Sequence, residues 1–343
     1  MTLASVFGFA SLAMAYSPTL SLYAKDLGAS PLVAGILFSV APTFGILLRI
    51  PAGALSTLIG RKKLMTVGAT TYLIAPLVLL TTDSLPVVFL SAFLFGFANL
   101  YMPAGISLVN DVVPEAERGE YIAYYAMWGT LGRAGAPFLA GFLIDEMGYR
   151  YVFIVCAGMG LVSFLYTLLL PPSKGEAPLE RSLSRQVLHD LVLVVRHRKL
   201  LWASVFRGSQ SLTQGIMNSY FPWYARDVAG LGAAAIGQIQ TGLVLGGIVA
   251  RPLTGKFSVG RRRIPFMVGG MLGSALLLVM VTHTTDYLAL MAICFGIGIV
   301  EGICQIATVA YLSDASGVRM FGAAIGVLGG FFDIGLVGGR LVP

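Results

Sequence analysis

The sequence predicts an all-α membrane protein in which one multi-helix bundle occurs twice, and three observations carry that prediction. Apolar residues (AVILMFWYC) fill 57% of the 343 positions and charged residues only 11%, where a soluble domain carries roughly 25% charge. Apolar stretches long enough to cross a bilayer, about 20 residues each, recur along the chain between short polar turns. Residue patterns then return at a spacing of roughly 200, the mark of a duplicated unit. The 42 glycines fit the same class, because helices in lipid associate through small residues that let backbones approach.

Eleven stretches reach or nearly reach spanning length: about 3 to 24, 32 to 56, 63 to 82, 86 to 109, 120 to 143, 150 to 171, 200 to 224, 233 to 256, 264 to 283, 287 to 312 and 319 to 341. One long polar segment interrupts them. It divides the chain into an N-terminal bundle of six helices (1–171), a linker (172–199) and a C-terminal bundle with five visible helices (200–343). Within the linker, Leu188, Leu191, Val192 and Val195 recur at helical spacing among Arg185, Arg196, Arg198 and Lys199. That pattern predicts an amphipathic helix on the membrane surface. The first apolar run lacks a basic flank and a small-residue cleavage site, so it reads as a retained helix.

Basic residues accumulate in cytoplasmic loops. With the N-terminus and central linker inside, the inner loops hold fifteen, from Arg61, Lys62 and Lys63 through the linker to Arg261, Arg262, Arg263 and Arg319; the outer loops hold only Lys25, Arg150 and Arg226. The net charge of +7 is therefore topological, and nucleic acid is not an expected partner. Cys156, Cys294 and Cys304 lie in apolar runs without paired spacing or neighbouring histidines, so they read as packing residues and no metal site is expected.

The repeat is specific. Tyr23-Ala24-Lys25-Asp26 recurs as Tyr224-Ala225-Arg226-Asp227, and Ala4-Ser5-Val6-Phe7 as Ala203-Ser204-Val205-Phe206. Gly35, Gly45, Arg49 and Gly53 align with Gly237, Gly247, Arg251 and Gly255 at one offset, 237 less 35 or 202. Gly60-Arg61-Lys62-Lys63 returns as Gly260-Arg261-Arg262-Arg263, and Gly129 and Gly132 as Gly326 and Gly329. The second copy is one helix short of the first, which fits either a C-terminal truncation that removes a twelfth span or a shortened protein with eleven spans, the truncation being the favoured expectation.

Two six-helix repeats with a glycine-basic turn after each second helix resemble the major facilitator superfamily (MFS) of secondary transporters. The family's GxxxDxxGRR/K turn is represented by Gly53-Ala54-Leu55-Ser56-Thr57-Leu58-Ile59-Gly60-Arg61-Lys62, with Thr57 where the family usually has Asp. The second copy, from Gly255 to Gly260 and Arg261, is two residues shorter and has no acid. In these gate motifs the basic side chains can reach helix C-termini and anionic headgroups. The run from Gly129 to Gly141 loosely resembles the glycine-proline signature of drug-proton antiporters, although Ala136, not Gly, precedes Pro137. The family's antiporters commonly carry an Arg in the middle of helix four, and none occurs between Ser91 and Val109.

Ionisable groups inside a bilayer are costly and mark solute or proton paths. Glu301, Asp333 and Arg133 lie near the middle of their helices, with Arg207 in the inner third of helix seven. Arg49, Arg251 and Arg340 stand nearer helix ends, where snorkelling toward the interface is expected. Glu301 and Gln305 share a face, as do Arg207, Gln214 and Asn218 with Gln210 or Ser211. The resemblance implies that helices one, four, seven and ten line a central cavity, which would place these residues opposite Asn99, Tyr101 and Pro103. It also implies alternating access around a midplane site, a small-molecule substrate, a proton or ion gradient, no cofactor, and a monomer in the cell membrane.

Glu301 or Asp333 is the expected proton carrier or partner of a cationic solute, and the reading favours efflux of drugs or metabolites. A static Arg-carboxylate pair that only holds helices together is the alternative for each. Sugar or organic-anion uptake remains a second transport reading, and a non-transporting receptor or sensor a third class. An enzyme is not expected: His189, His197 and His283 are the only histidines, and HExxH, GxSxG and phosphate-loop motifs are absent.

Overall fold

The structure, a computed structural model, describes residues 1–114, 117–170, 196–257 and 263–341. The predicted amphipathic helix at 188–195 and the turn residues Gly260 and Arg261 lie outside the described residues. So do the side chains of Arg49, Thr57 and the residues around Gly53 and Gly255.

Every described element is helical. The first path runs through α1 (Thr2–Met14), a π-helical turn (Ala15–Leu20) and α2 (Ser21–Asp26), and is followed by α3 (Pro31–Ile59) and α4 (Arg61–Leu79). Next come α5 (Leu85–Phe97), a 3-10 turn and α6 (Tyr101–Val112), then α7 (Arg118–Ala134), α8 (Ala136–Met147) and α9 (Tyr149–Leu168). After the linker stand α10 (Arg198–Ser219), α11 (Phe221–Asp227), α12 (Ala233–Phe257), α13 (Arg263–Thr282) and α14 (Tyr287–Leu341). Glycine makes the sharp turn between α3 and α4, where Gly60 takes φ 91°, a region that L side chains avoid. Pro31, Pro137 and Pro222 stand at helix starts, where the missing N–H costs nothing.

Among the described residues, eight segments are long and apolar enough to cross a membrane: Thr2–Asp26, Pro31–Leu48, Leu85–Val109, Tyr149–Leu168, Ala233–Arg251, Arg263–Thr282, Tyr287–Ser316 and Ala324–Leu341. The other three expected spans fall on elements that are broken or more polar. Helix α4 opens with Arg61, Lys62 and Lys63, the α7–α8 path breaks at Gly135, and the α10–α11 path carries Arg207, Gln210, Gln214 and Asn218. The outer faces are apolar, with Leu272, Leu276, Leu288 and Ile334 all exposed. Such surfaces are stable only against lipid.

The sequence predicts a loop between residues 312 and 319, whereas the backbone from Tyr287 to Leu341 is helical throughout. The run nevertheless folds back. Gln210 donates to the Glu301 carbonyl (2.9 Å) and its neighbour Ser211 donates to the Phe332 carbonyl (2.7 Å). A straight helix would hold residues 301 and 332 about 46 Å apart. Leu312, Ala324 and Leu328 also share one apolar cluster with Leu200 and Ala203, so the reversal lies between Leu312 and Ala324.

Helices before the linker pack chiefly on one another, through α4 with α9 and α1 with α7 and α9; those after it pack through α14 against α10, α12 and α13. The two sets meet where α8 lies on α12 and α3 on α14. There the backbones nearly touch: a side chain at Gly141 would strike the Ala233 carbonyl, and one at Gly237 the Pro137 carbonyl. Cys156, Cys294 and Cys304 are free and buried, as packing residues are.

Candidate transport cavity and gates

At the linker end, the glycine-basic turn binds helix ends. Arg61 donates to the Ser107 carbonyl (2.7 Å), and Lys62 to the carbonyls of Leu168 (2.7 Å) and Leu170 at the end of α9. A cation there satisfies orphan carbonyls and opposes the negative end of the helix dipole. In the second copy Arg263 donates to the Ala310 carbonyl and pairs with Asp314 at 2.5 Å. Arg61 and Arg263 thus do the same work, at the offset of 202 that also relates Gly35 to Gly237. Matching the letters GRKK to GRRR had paired Arg61 with Arg261; the hydrogen bonds shift the register by two, the length by which the second turn is shorter.

At the opposite end the repeated Lys-Asp and Arg-Asp pairs face each other. Lys25 pairs with Asp227, and Arg226 with Asp26 at 2.9 Å, each basic residue taking the acid of the other copy. Tyr149 donates to Asp26 (2.5 Å). Around them Trp223 donates to the Ser21 carbonyl (2.9 Å), Ser21 to the Ser219 carbonyl (2.8 Å), Ser17 to the Asn218 carbonyl (3.2 Å) and Gln240 to Ser17 (2.7 Å). Asp145 receives the N–H groups of Ala233 and Ala234 (3.0 and 2.7 Å), capping α12 from the other half. Among the described residues, the hydrogen bond joining the halves nearest to the linker is Arg251 to Thr130, at 3.5 Å.

The predicted cavity residues divide into three groups. Arg207, Glu301 and Gln305 come together with Arg251. Arg207 donates to the Gln210 amide oxygen (2.6 Å) and lies 4.4 Å over the Phe332 ring, within electrostatic reach of Glu301. One carboxyl oxygen of Glu301, Oε1, is buried without a hydrogen-bond partner. Arg251 donates to Gln305 (3.3 Å) as well as to Thr130. Arg133, one turn on from Thr130, is exposed and lies within electrostatic reach of Arg251. Gln214 is half-buried on the same helix as Arg207.

Asp333 belongs elsewhere, buried within electrostatic reach of Arg340. Snorkelling was expected of Arg340 and Arg251, and neither does it. Arg340 is 4% exposed and inserts into the first half, donating to the Phe38 carbonyl and lying 5.6 Å over the Tyr16 ring. Its own carbonyl accepts from Tyr220 (2.5 Å). Replacing Arg340 with Leu should cost about 3 kcal/mol, because Asp333 and the Phe38 carbonyl would stay buried without their cation. A midpoint of thermal unfolding in detergent within a degree of the parent would contradict this.

Asn99 does not face the second half. Its amide donates to the carbonyls of Ala41 (3.2 Å) and Gly96 (3.0 Å) and packs on Gly45, tying helix four to helix two. Asn218 contributes its backbone carbonyl to the closed end, away from the Arg207 group. The residues missed by sequence reasoning are Thr130, Tyr16, Phe38 and Phe332. The one available signal was that Arg251 repeats Arg49, a conspicuous cation to place twice in lipid.

A bundle of apolar-faced helices, split into two halves that meet at one end through cross-paired charges, is the architecture of a secondary transporter. The chain belongs to the major facilitator superfamily, whose family profile matches residues 1–339. It is a multi-pass membrane transporter of small molecules and not an enzyme. It is 22% identical to the quinolone resistance protein NorA of Staphylococcus aureus (strain COL) over 329 residues, 95% of this chain and 83% of that one. It is 26% identical over 154 residues to an MFS-type transporter, MJ1560, of Methanocaldococcus jannaschii, a match covering 45% of this chain and 40% of the relative. The fold superposes on a mutant of the nucleoside transporter NupG with a TM-score of 0.81 at 13% identity, over 99% of this chain and 89% of that one.

Proposed function

We propose that the chain exports a drug-like or metabolite solute across the cell membrane by alternating access, with Glu301 carrying the coupling proton. The observation that carries this reading is Glu301 itself: a carboxyl oxygen buried without a donor costs least when it holds a proton. Arg207, one helix away, lies within its field, so the attraction between the two depends on whether that proton is present. The linker and N-terminus lie in the cytoplasm, the bundles are 1–171 and 200–343, and the protein works as a monomer. Efflux is favoured over uptake by the similarity to a quinolone resistance protein along 95% of the chain.

The test is a pH jump on proteoliposomes holding the purified protein and a labelled quinolone. Transport that follows the proton gradient supports the reading; counterflow with no response to pH removes the proton, and no counterflow removes the transporter.

In this cycle the Lys25–Asp227 and Arg226–Asp26 pairs latch the outer end. Exposed pairs contribute up to about 1 kcal/mol, so Lys25→Glu should raise labelling of a Ser21→Cys probe by a membrane-impermeant maleimide about fivefold. Adding Asp227→Lys should restore protection. Equal labelling in all three proteins would show that the pairs do not gate.

A further inference from the structure

The cavity group carries more positive charge than its own residues neutralise. Arg133 comes from α7, Arg207 from α10 and Arg251 from α12, and Glu301 of α14 is the one carboxylate in electrostatic contact with any of them among the described residues. None of the three arginines makes an ion pair with a described carboxylate. Arg207 spends one N–H on Gln210, Arg251 reaches only the neutral Thr130 and Gln305, and Arg251 Nε is buried without a partner. Guanidinium groups stay protonated in proteins, so these charges persist through any change at Glu301.

Position makes the excess useful. Arg133 belongs to the first half and Arg207 and Arg251 to the second, so the charge straddles the seam along which the halves part. Arg133 keeps exposed surface, and Thr130, one turn before it, accepts a hydrogen bond from Arg251 of the other half. A cleft of one sign with apolar walls concentrates counter-ions, and guanidinium forks bind planar oxyanions bidentately. Phe332 under Arg207 adds aromatic surface next to the charge.

We propose that the transported solute is an amphipathic aromatic compound bearing an anionic group, which Arg133 and Arg251 bind from opposite halves. This rests on the transporter reading above and narrows it, since a lipophilic cation would meet repulsion at the same place.

Binding of three probes with a common ring separates the cases: naphthoate, naphthalenesulfonate and a naphthylmethyl-trimethylammonium cation, measured by equilibrium dialysis against the purified full chain in detergent. At least one anion should bind ten or more times more tightly than the cation. Arg133→Gln and Arg251→Gln should each weaken anion binding about tenfold, with Arg133→Lys retaining part of it. Binding of neither anion, tighter binding of the cation, or unchanged anion affinity in both glutamine variants overturns the proposal. The comparison of probes on the parent protein decides the matter even where a variant fails to fold. Counterflow of the cation alone would overturn the anion site and keep the transporter; anion binding without counterflow of any probe would do the reverse.

Discussion

Replacing Glu301 with Gln is expected to abolish transport driven by a pH gradient while leaving counterflow of unlabelled for labelled solute in place. The substitution is nearly isosteric, so the backbone carbonyl that accepts from Gln210 stays where it is. What disappears is the exchangeable proton. Glu301 Oε1 sits buried without a donor, and an amide oxygen there is neutral at every pH, so the field at Arg207 no longer changes during the cycle. In magnitude the gradient-driven component should fall at least tenfold, and its pH profile should flatten. Retention of the parent's pH response would assign coupling to another group, with Asp333 beside Arg340 the next to test. Loss of counterflow together with coupling would show that Glu301 holds the solute instead.

Gly335→Leu should prevent stable folding. Helix α10 and the returning limb of α14 meet backbone to backbone. A side chain at Gly335 would strike the Gly208 carbonyl and Ser211 Oγ, one at Gly339 the Leu212 carbonyl, and one at Gly215 the Leu336 carbonyl at 2.6 Å. Ser211 donates to the Phe332 carbonyl at 2.7 Å across the same contact. Overpacking alone costs roughly 1–3 kcal/mol, and pushing the helices apart also breaks this hydrogen bond, a further ~1 kcal/mol. Gly330→Leu, on the same helix with open space at its Cβ position, should leave the unfolding midpoint almost unchanged. Equal behaviour of the two variants, measured as yield and thermal midpoint in detergent, would refute the close contact.

Much of the fold was legible because its causes are local. Runs of apolar residues select a lipid environment regardless of what they touch, and turn glycines such as Gly60 announce themselves. The Tyr-Ala-basic-Asp repeat was legible as a repeat, while the structure added that the Lys25-Asp26 end of one copy pairs with the Arg226-Asp227 end of the other. The candidate site was legible only in part. Arg207, Glu301 and Gln305 were recognisable as costly polar groups in lipid, and they do assemble. Asn99 satisfied the same criterion yet is spent on the Ala41 and Gly96 carbonyls.

The sequence by itself determined the solvent, the helical class and the duplication, since hydropathy and repetition are properties of residue order alone. Only tertiary structure decided where the cations point. Arg340 and Arg251 sit near helix ends, where an isolated helix would let them snorkel to water. In the bundle Phe38 and Tyr16 receive Arg340, and Thr130 and Gln305 receive Arg251. Those partners come from helices far off in sequence, and a charge inside lipid goes to the polar partner that packing brings within reach.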